Sequence, residues 1–155
     1  MTQAARKLTF QEYLNLDAED WVRLGLPEGQ CEFIDGEIVQ LPFEDRINAK
    51  IALFLLTRLA NVFSEDRLYC KDTEIEVISN KARTRVPDLM LLSEDLAAVL
   101  GDGRSTITLD MPPPDLIVEV VSPGPTNENR DYHLKRSEYA ARRVPEYWAD
   151  RARRR

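Results

Sequence analysis

Two acids lie where the surrounding sequence is hydrocarbon. Asp88 opens the run Val86-Pro87-Asp88-Leu89-Met90-Leu91-Leu92, and Glu119 sits at the centre of Leu116-Ile117-Val118-Glu119-Val120-Val121. Short apolar runs of this kind read as strands covered on two sides. An unpaired carboxylate buried there costs on the order of several kcal/mol or stays protonated. A cation beside the acids removes that cost, and if the two strands are neighbours, Asp88 and Glu119 can share one ion at the strand ends. Pairing with an arginine such as Arg83 or Arg85 would also neutralise either acid. For Glu119 alone the two readings are level; two such acids together favour the ion. Asp115, four residues before Glu119 and so on the same strand face, is either a further ligand or the residue that starts the strand.

Lys135 is the third reactive group. Helical spacing puts Asp131, Lys135 and Tyr139 on one face. A lysine near a metal-bound water can orient the nucleophile and stabilise charge on a pentavalent phosphate; the same spacing also describes an ordinary Asp–Lys surface pair. The other donor types are scarce. Cys31 and Cys70 lie far apart with no C-x-x-C clip, and His133 is the single histidine. Two reduced thiols are expected rather than a zinc or redox centre. Carboxylates remain, and they select hard ions such as Mg²⁺ or Mn²⁺.

The elements that must position these groups follow from local pattern. Thr9-Phe10-Gln11-Glu12 has the spacing of a capping box and opens a short helix through Leu14, with another helical turn from Trp21 to Leu26. Asp35-Gly36 between apolar dipeptides predicts a type I′ hairpin over Glu32 to Val39. Apolar residues at helical spacing predict an amphipathic helix from Arg46 to Phe63. Strands are expected over Leu68 to Ile78, Val86 to Leu92 and Leu116 to Val121, separated by a long connection from Ser93 to Pro114 that is helical at Glu94 to Leu100. A second amphipathic helix over Asp131 to Arg142 and a strand beginning at Glu146 complete the order. The class is α/β: a mixed β-sheet flanked by two helices, with an N-terminal β-hairpin, in a single domain spanning residues 1–155.

The longest apolar run, Ile51 to Leu56, is far short of the roughly 20 residues that span a bilayer. The N-terminus leads into no apolar segment of the kind a secretory signal needs. A cytoplasmic protein without membrane contact is expected. The net charge of −6 argues against a general nucleic-acid binder. The arginines that crowd the C-terminus (Arg142, Arg143, Arg151, Arg153, Arg154 and Arg155) read as a solvated tail in preference to a phosphate-binding arm.

Taken together, several segments resemble one family. Cys31-Glu32-Phe33-Ile34-Asp35-Gly36-Glu37-Ile38, Arg85-Val86-Pro87-Asp88-Leu89, Pro114-Asp115 through Ser122-Pro123, Asp131…Lys135…Tyr139 and Val144-Pro145-Glu146-Tyr147-Trp148 occur in order over most of the chain. This series resembles the Uma-two family of restriction endonucleases, within the PD-(D/E)XK nuclease superfamily. The resemblance implies the restriction-endonuclease-like fold and metal ligation by Asp88 and Glu119. It also implies an approach of Glu32 to the same site, as a ligand or as an acceptor behind the ligands. The superfamily lysine belongs two residues after the glutamate, where this chain has Val121, and the family's lysine on the following helix matches Lys135.

Three departures stand out. Asn48 occupies a position where family members commonly carry histidine. Arg143 stands where a glycine usually closes the second helix. The chain ends soon after Glu146-Tyr147-Trp148, like a truncated sheet. The function expected is a Mg²⁺-dependent endonuclease acting on DNA, plausibly as a homodimer, with Asp88, Glu119, Lys135 and Glu32 in the site. The alternative is an inactive nuclease fold kept for binding or dimerisation. A phosphatase or nucleotide hydrolase is disfavoured because no glycine-rich phosphate loop is present.

Overall fold

Asp35 and Gly36 both take positive φ, 50° and 81°, and the turn they make joins β1 (Cys31–Ile34) to β2 (Glu37–Gln40) in antiparallel register. The hairpin is therefore set by its turn chemistry, as the sequence predicts. The computed structural model describes residues 7–104 and 106–151; Arg153, Arg154 and Arg155 of the expected basic tail lie outside the described residues, as does most of the N-terminal stretch read for a signal. Ahead of the hairpin, α1 (Phe10–Leu14) begins at Thr9 with the expected capping box, and α2 (Ala18–Arg23) starts slightly earlier than predicted. Tyr13 of α1 stacks on Phe33 at 4.5 Å between centroids, and its hydroxyl donates to Glu74 at 2.6 Å.

The central sheet has the order β3–β6–β8–β9, formed by Leu68–Tyr69, Leu89–Leu91, Leu116–Val120 and Glu146–Asp150. β6 runs antiparallel to both β3 and β8, and β9 runs parallel to β8, so the sheet is mixed. Side chains alternate across it. Leu89, Leu91, Leu116 and Val118 face α3 (Arg46–Ala60), where Leu55, Leu56 and Leu59 cover them. Met90 and Ile117 face the other way, into a core closed by Tyr139 of α6 (Lys135–Ala141). The restriction-endonuclease-like arrangement of a mixed sheet between two helices is present. A second sheet, β5–β4–β7 (Thr84–Arg85, Glu74–Glu76, Thr106–Ile107), lies beside it and pairs β4 in parallel with β7.

Three predicted elements differ. The single strand expected over Leu68 to Ile78 is two, β3 and β4, belonging to different sheets; the chain breaks at Lys71, whose φ of 56° takes it out of the extended region. The strand expected from Val86 starts at Leu89, because Pro87 has no N–H to give to a ladder. The second helix begins earlier, as α5 (Pro125–Asn129), and passes through a π turn at Arg130–Leu134 before becoming α6. The connection between β6 and β8 holds α4 (Glu94–Val99), close to the helix expected there, together with β7, which the sequence reading missed.

Arg143 does adopt the left-handed conformation that the missing glycine implies, with φ of 62°. The side chain is exposed, so little packing compensates the strain. Arg143→Gly is therefore expected to raise stability by about 0.5–1 kcal/mol, as read by urea denaturation; a decrease would mean that the arginine makes a contact worth more than the strain.

Candidate active site

Leu89 pairs with Val118, so Asp88, just ahead of β6, and Glu119, the residue after Val118 on β8, lie at the same end of that ladder. Alternation puts Glu119 on the face that carries Ile117, toward α6, and Asp88 lines the same cleft as Glu119. Asp88 is fixed from the backbone: its Oδ2 accepts from Val120 N at 2.6 Å. Glu119 is fixed from the helix: its Oε1 accepts from Tyr139 Oη at 2.8 Å and lies 2.9 Å from Lys135 Nζ. Both contacts fall on Oε1, leaving Oε2 outside them.

Asp131 lies within the π turn and Lys135 follows it, and at i,i+4 spacing Lys135 Nζ lies 3.4 Å from Asp131 Oδ1. Asp131 is also gripped by Arg130 through two bonds of 2.8 and 3.1 Å. Its carbonyl accepts from Tyr147 Oη of β9 at 2.6 Å. The Asp–Lys pair is thus buried rather than the surface pair that spacing alone also allowed.

Glu32 reaches the same cleft from β1, but its carboxylate is occupied. Oε2 lies 3.0 Å from Arg85 Nη1, and Oε1 accepts from Val86 N at 3.3 Å. Arg85 in turn holds Glu138 through bonds of 2.8 and 2.9 Å. The arginines considered as partners for Asp88 and Glu119 are therefore engaged elsewhere: Arg85 with Glu32 and Glu138, and Arg83 with Glu76 at 2.7 Å. Asp115 leaves the set of possible ligands. It pairs with Arg67 at 2.7 Å, near the opposite end of β8.

Glu32, Asp88, Glu119 and Lys135 all line one cleft of about 670 Å³. Its charged lining is acidic: Glu28, Glu32, Glu44, Asp88, Glu119 and Asp131 against Lys71, Arg130 and Lys135. Sequence reasoning missed Lys71, whose Nζ is 3.3 Å from Asp88 Oδ1 and also pairs with Glu44; no motif surrounds it. It also missed Arg130. Asn48 lines the cleft too, and donates to Ser122 Oγ at 2.9 Å, so the amide makes one hydrogen bond in the position where a histidine was expected.

The electrostatics follow from burial. Glu119 is held up at about 7, first by loss of water and further by the charges of Asp88 and Asp131, with Lys135 pulling the other way. Burial lowers Lys135, but the carboxylates of Glu119, Glu32 and Asp131 outweigh it and leave its pKa raised. Among the described residues no group of three or more His, Cys, Asp or Glu side chains converges to cage an ion. A pair of carboxylates is nevertheless a donor set suited to Mg²⁺, which keeps several waters and commonly takes one or two protein carboxylates.

A family model described as Uma2, putative restriction endonuclease, matches residues 10–155. The chain belongs to the Uma2 family. No curated protein matches it. The Uma2 match contains every residue of the cleft, from Glu28 to Lys135. No helix among the described residues is long and apolar enough to cross a membrane.

Proposed function

We propose that this Uma2 chain is a Mg²⁺-dependent endonuclease that hydrolyses phosphodiester bonds of DNA, with Mn²⁺ able to replace Mg²⁺. The observation that carries the reading is the pair Asp88 and Glu119, brought to one end of the β6–β8 ladder in a cleft where, among the described residues, acids outnumber cations six to three. A polyanion cannot enter such a cleft favourably unless cations neutralise it.

Asp88 and Glu119 are the residues that would hold the ion. The chemistry an ion held there would supply is a water of lowered pKa and polarisation of a phosphoryl oxygen. The protein's own groups do the rest. Tyr139 and Lys135 fix Glu119 through Oε1, and Val120 N fixes Asp88, so both carboxylates are oriented before substrate arrives. Lys135, anchored by Glu119 and Asp131, keeps its positive charge at the cleft wall, where it opposes charge growing on a phosphate. Glu32, restrained by Arg85, acts from behind the ligands.

The same reading puts the protein in the cytoplasm, with duplex DNA as partner, and calls for a second copy because each site cuts one strand. Purified protein is expected to convert supercoiled plasmid to nicked and linear forms in Mg²⁺ or Mn²⁺, and to stop when EDTA removes the ion. Cutting that persists in EDTA would refute the metal assignment.

One observation favours a second reading, an inactive fold retained for binding. Asp88 and Glu119 each already have a lysine partner, so the protein can balance their charge without an ion. Calorimetry separates the two, since an inactive relative shows no Mn²⁺ binding that depends on these carboxylates.

A further inference from the structure

The two lysines at the acid pair are held very differently. Lys135 is buried and pinned between Glu119 and Asp131. Lys71 sits at a bend with φ of 56°, a conformation that costs a non-glycine residue roughly 1 kcal/mol. Its carbonyl accepts from Gln30 Nε2 at 2.7 Å, which ties the bend to the hairpin. Only the far end of the side chain meets the acids. Nζ lies 3.3 Å from Asp88 Oδ1 and pairs at the same time with Glu44, in the segment that leads from β2 into α3.

Asp88 itself cannot follow, because its other oxygen is bonded to Val120 N. The mobile partner is the ammonium on its four-carbon stem. We propose that Lys71 is an internal counter-ion that competes with the divalent cation for Asp88, with Glu44 holding the displaced ammonium when the ion is bound. The inference rests on the metal reading of the cleft and adds a positioning pair, Lys71 and Glu44, that sets how tightly the ion is held. A strained backbone fits such a role, since it fixes where the stem begins while leaving the charged end free to exchange partners.

The test is Mn²⁺ titration calorimetry on four proteins at one ionic strength: wild type, Lys71→Gln, Glu44→Gln and the double variant, with folding checked by circular dichroism. Lys71→Gln is expected to tighten Mn²⁺ binding about tenfold, and Glu44→Gln to weaken it about fivefold. A change in local field alone gives the same signs, but the effects then simply add. Competition instead makes the Glu44→Gln loss fall below about twofold once residue 71 is uncharged, because no ammonium remains to be parked. Additive effects overturn the inference.

Should Lys71→Gln fail to fold, Lys71→Arg decides the matter. It keeps the charge while gripping a carboxylate through two N–H groups, so weaker Mn²⁺ binding supports competition and unchanged affinity refutes it. If wild type shows no Mn²⁺ binding that Asp88→Asn removes, the metal reading falls, and this inference falls with it. If that binding is present and the cycle is additive, only the role of Lys71 is lost.

Discussion

Asp88→Asn is expected to abolish Mg²⁺-dependent DNA cleavage, lowering the rate by about 10³-fold or more, while leaving the fold intact. The amide keeps an oxygen that can accept from Val120 N, the bond that ties the residue ahead of β6 to β8 beside the site. What it removes is the negative charge of Asp88 that acts on Glu119. Activity is read by plasmid cleavage, ion binding by Mn²⁺ calorimetry, and folding by thermal melting, which should shift by no more than a few degrees.

The same variant has a second, metal-free signature. In the folded protein Glu119 keeps its proton up to about pH 7, with burial as the main cause and Asp88 among the charges that add to it. The unfolded carboxylate releases its proton near its ordinary value of 4.5. Between those values the folded state binds more protons than the unfolded state, so this group's contribution to stability falls as pH rises from about 4.5 to about 7. Removing the charge of Asp88 lowers the Glu119 pKa and should shrink that fall. A variant that loses cleavage with an unchanged pH–stability curve would mean that the two carboxylates do not sense each other, and the shared-ion site would fail.

How far the sequence carries the site depends on the kind of signal each residue leaves. Asp88 and Glu119 are visible because an acid inside hydrocarbon is anomalous, and the hairpin is visible because Asp-Gly accommodates two positive φ angles. The helices flanking the sheet follow from apolar spacing. Lys71 leaves no such mark: a lysine at φ of 56° looks like any strand lysine, so two strands from different sheets read as one. The π turn at Arg130–Leu134 is equally silent, and so is the burial of the Asp131–Lys135 pair, whose spacing the sequence does show. Partner choice is hidden as well. Arg83 and Arg85 stand close to Asp88 in sequence, yet the register of β5 on β4 and its contact with β1 deliver them to Glu76, Glu32 and Glu138.

That last cluster carries the largest stability effect. Arg85 is buried between Glu32 and Glu138, joined to each at 3.0 Å or less, and its pKa is raised because the two carboxylates outweigh the cost of burial. Taking away the arginine leaves two buried acids without their cation. Arg85→Met is therefore expected to destabilise the protein by about 3–5 kcal/mol, a large share of the 5–15 kcal/mol typical of a domain; urea denaturation measures it. Removing the acids together with the arginine should reverse most of the loss, since what costs is the uncompensated charge rather than the missing contact. Arg85→Met/Glu32→Gln/Glu138→Gln is expected to lie well above the single variant, and a triple variant as unstable as the single one would show that packing, not charge, is what Arg85 provides. The consequence reaches the cleft. Arg85 restrains Glu32, so the strength of this cluster sets whether Glu32 stays behind Asp88 and Glu119 or joins them at the proposed ion.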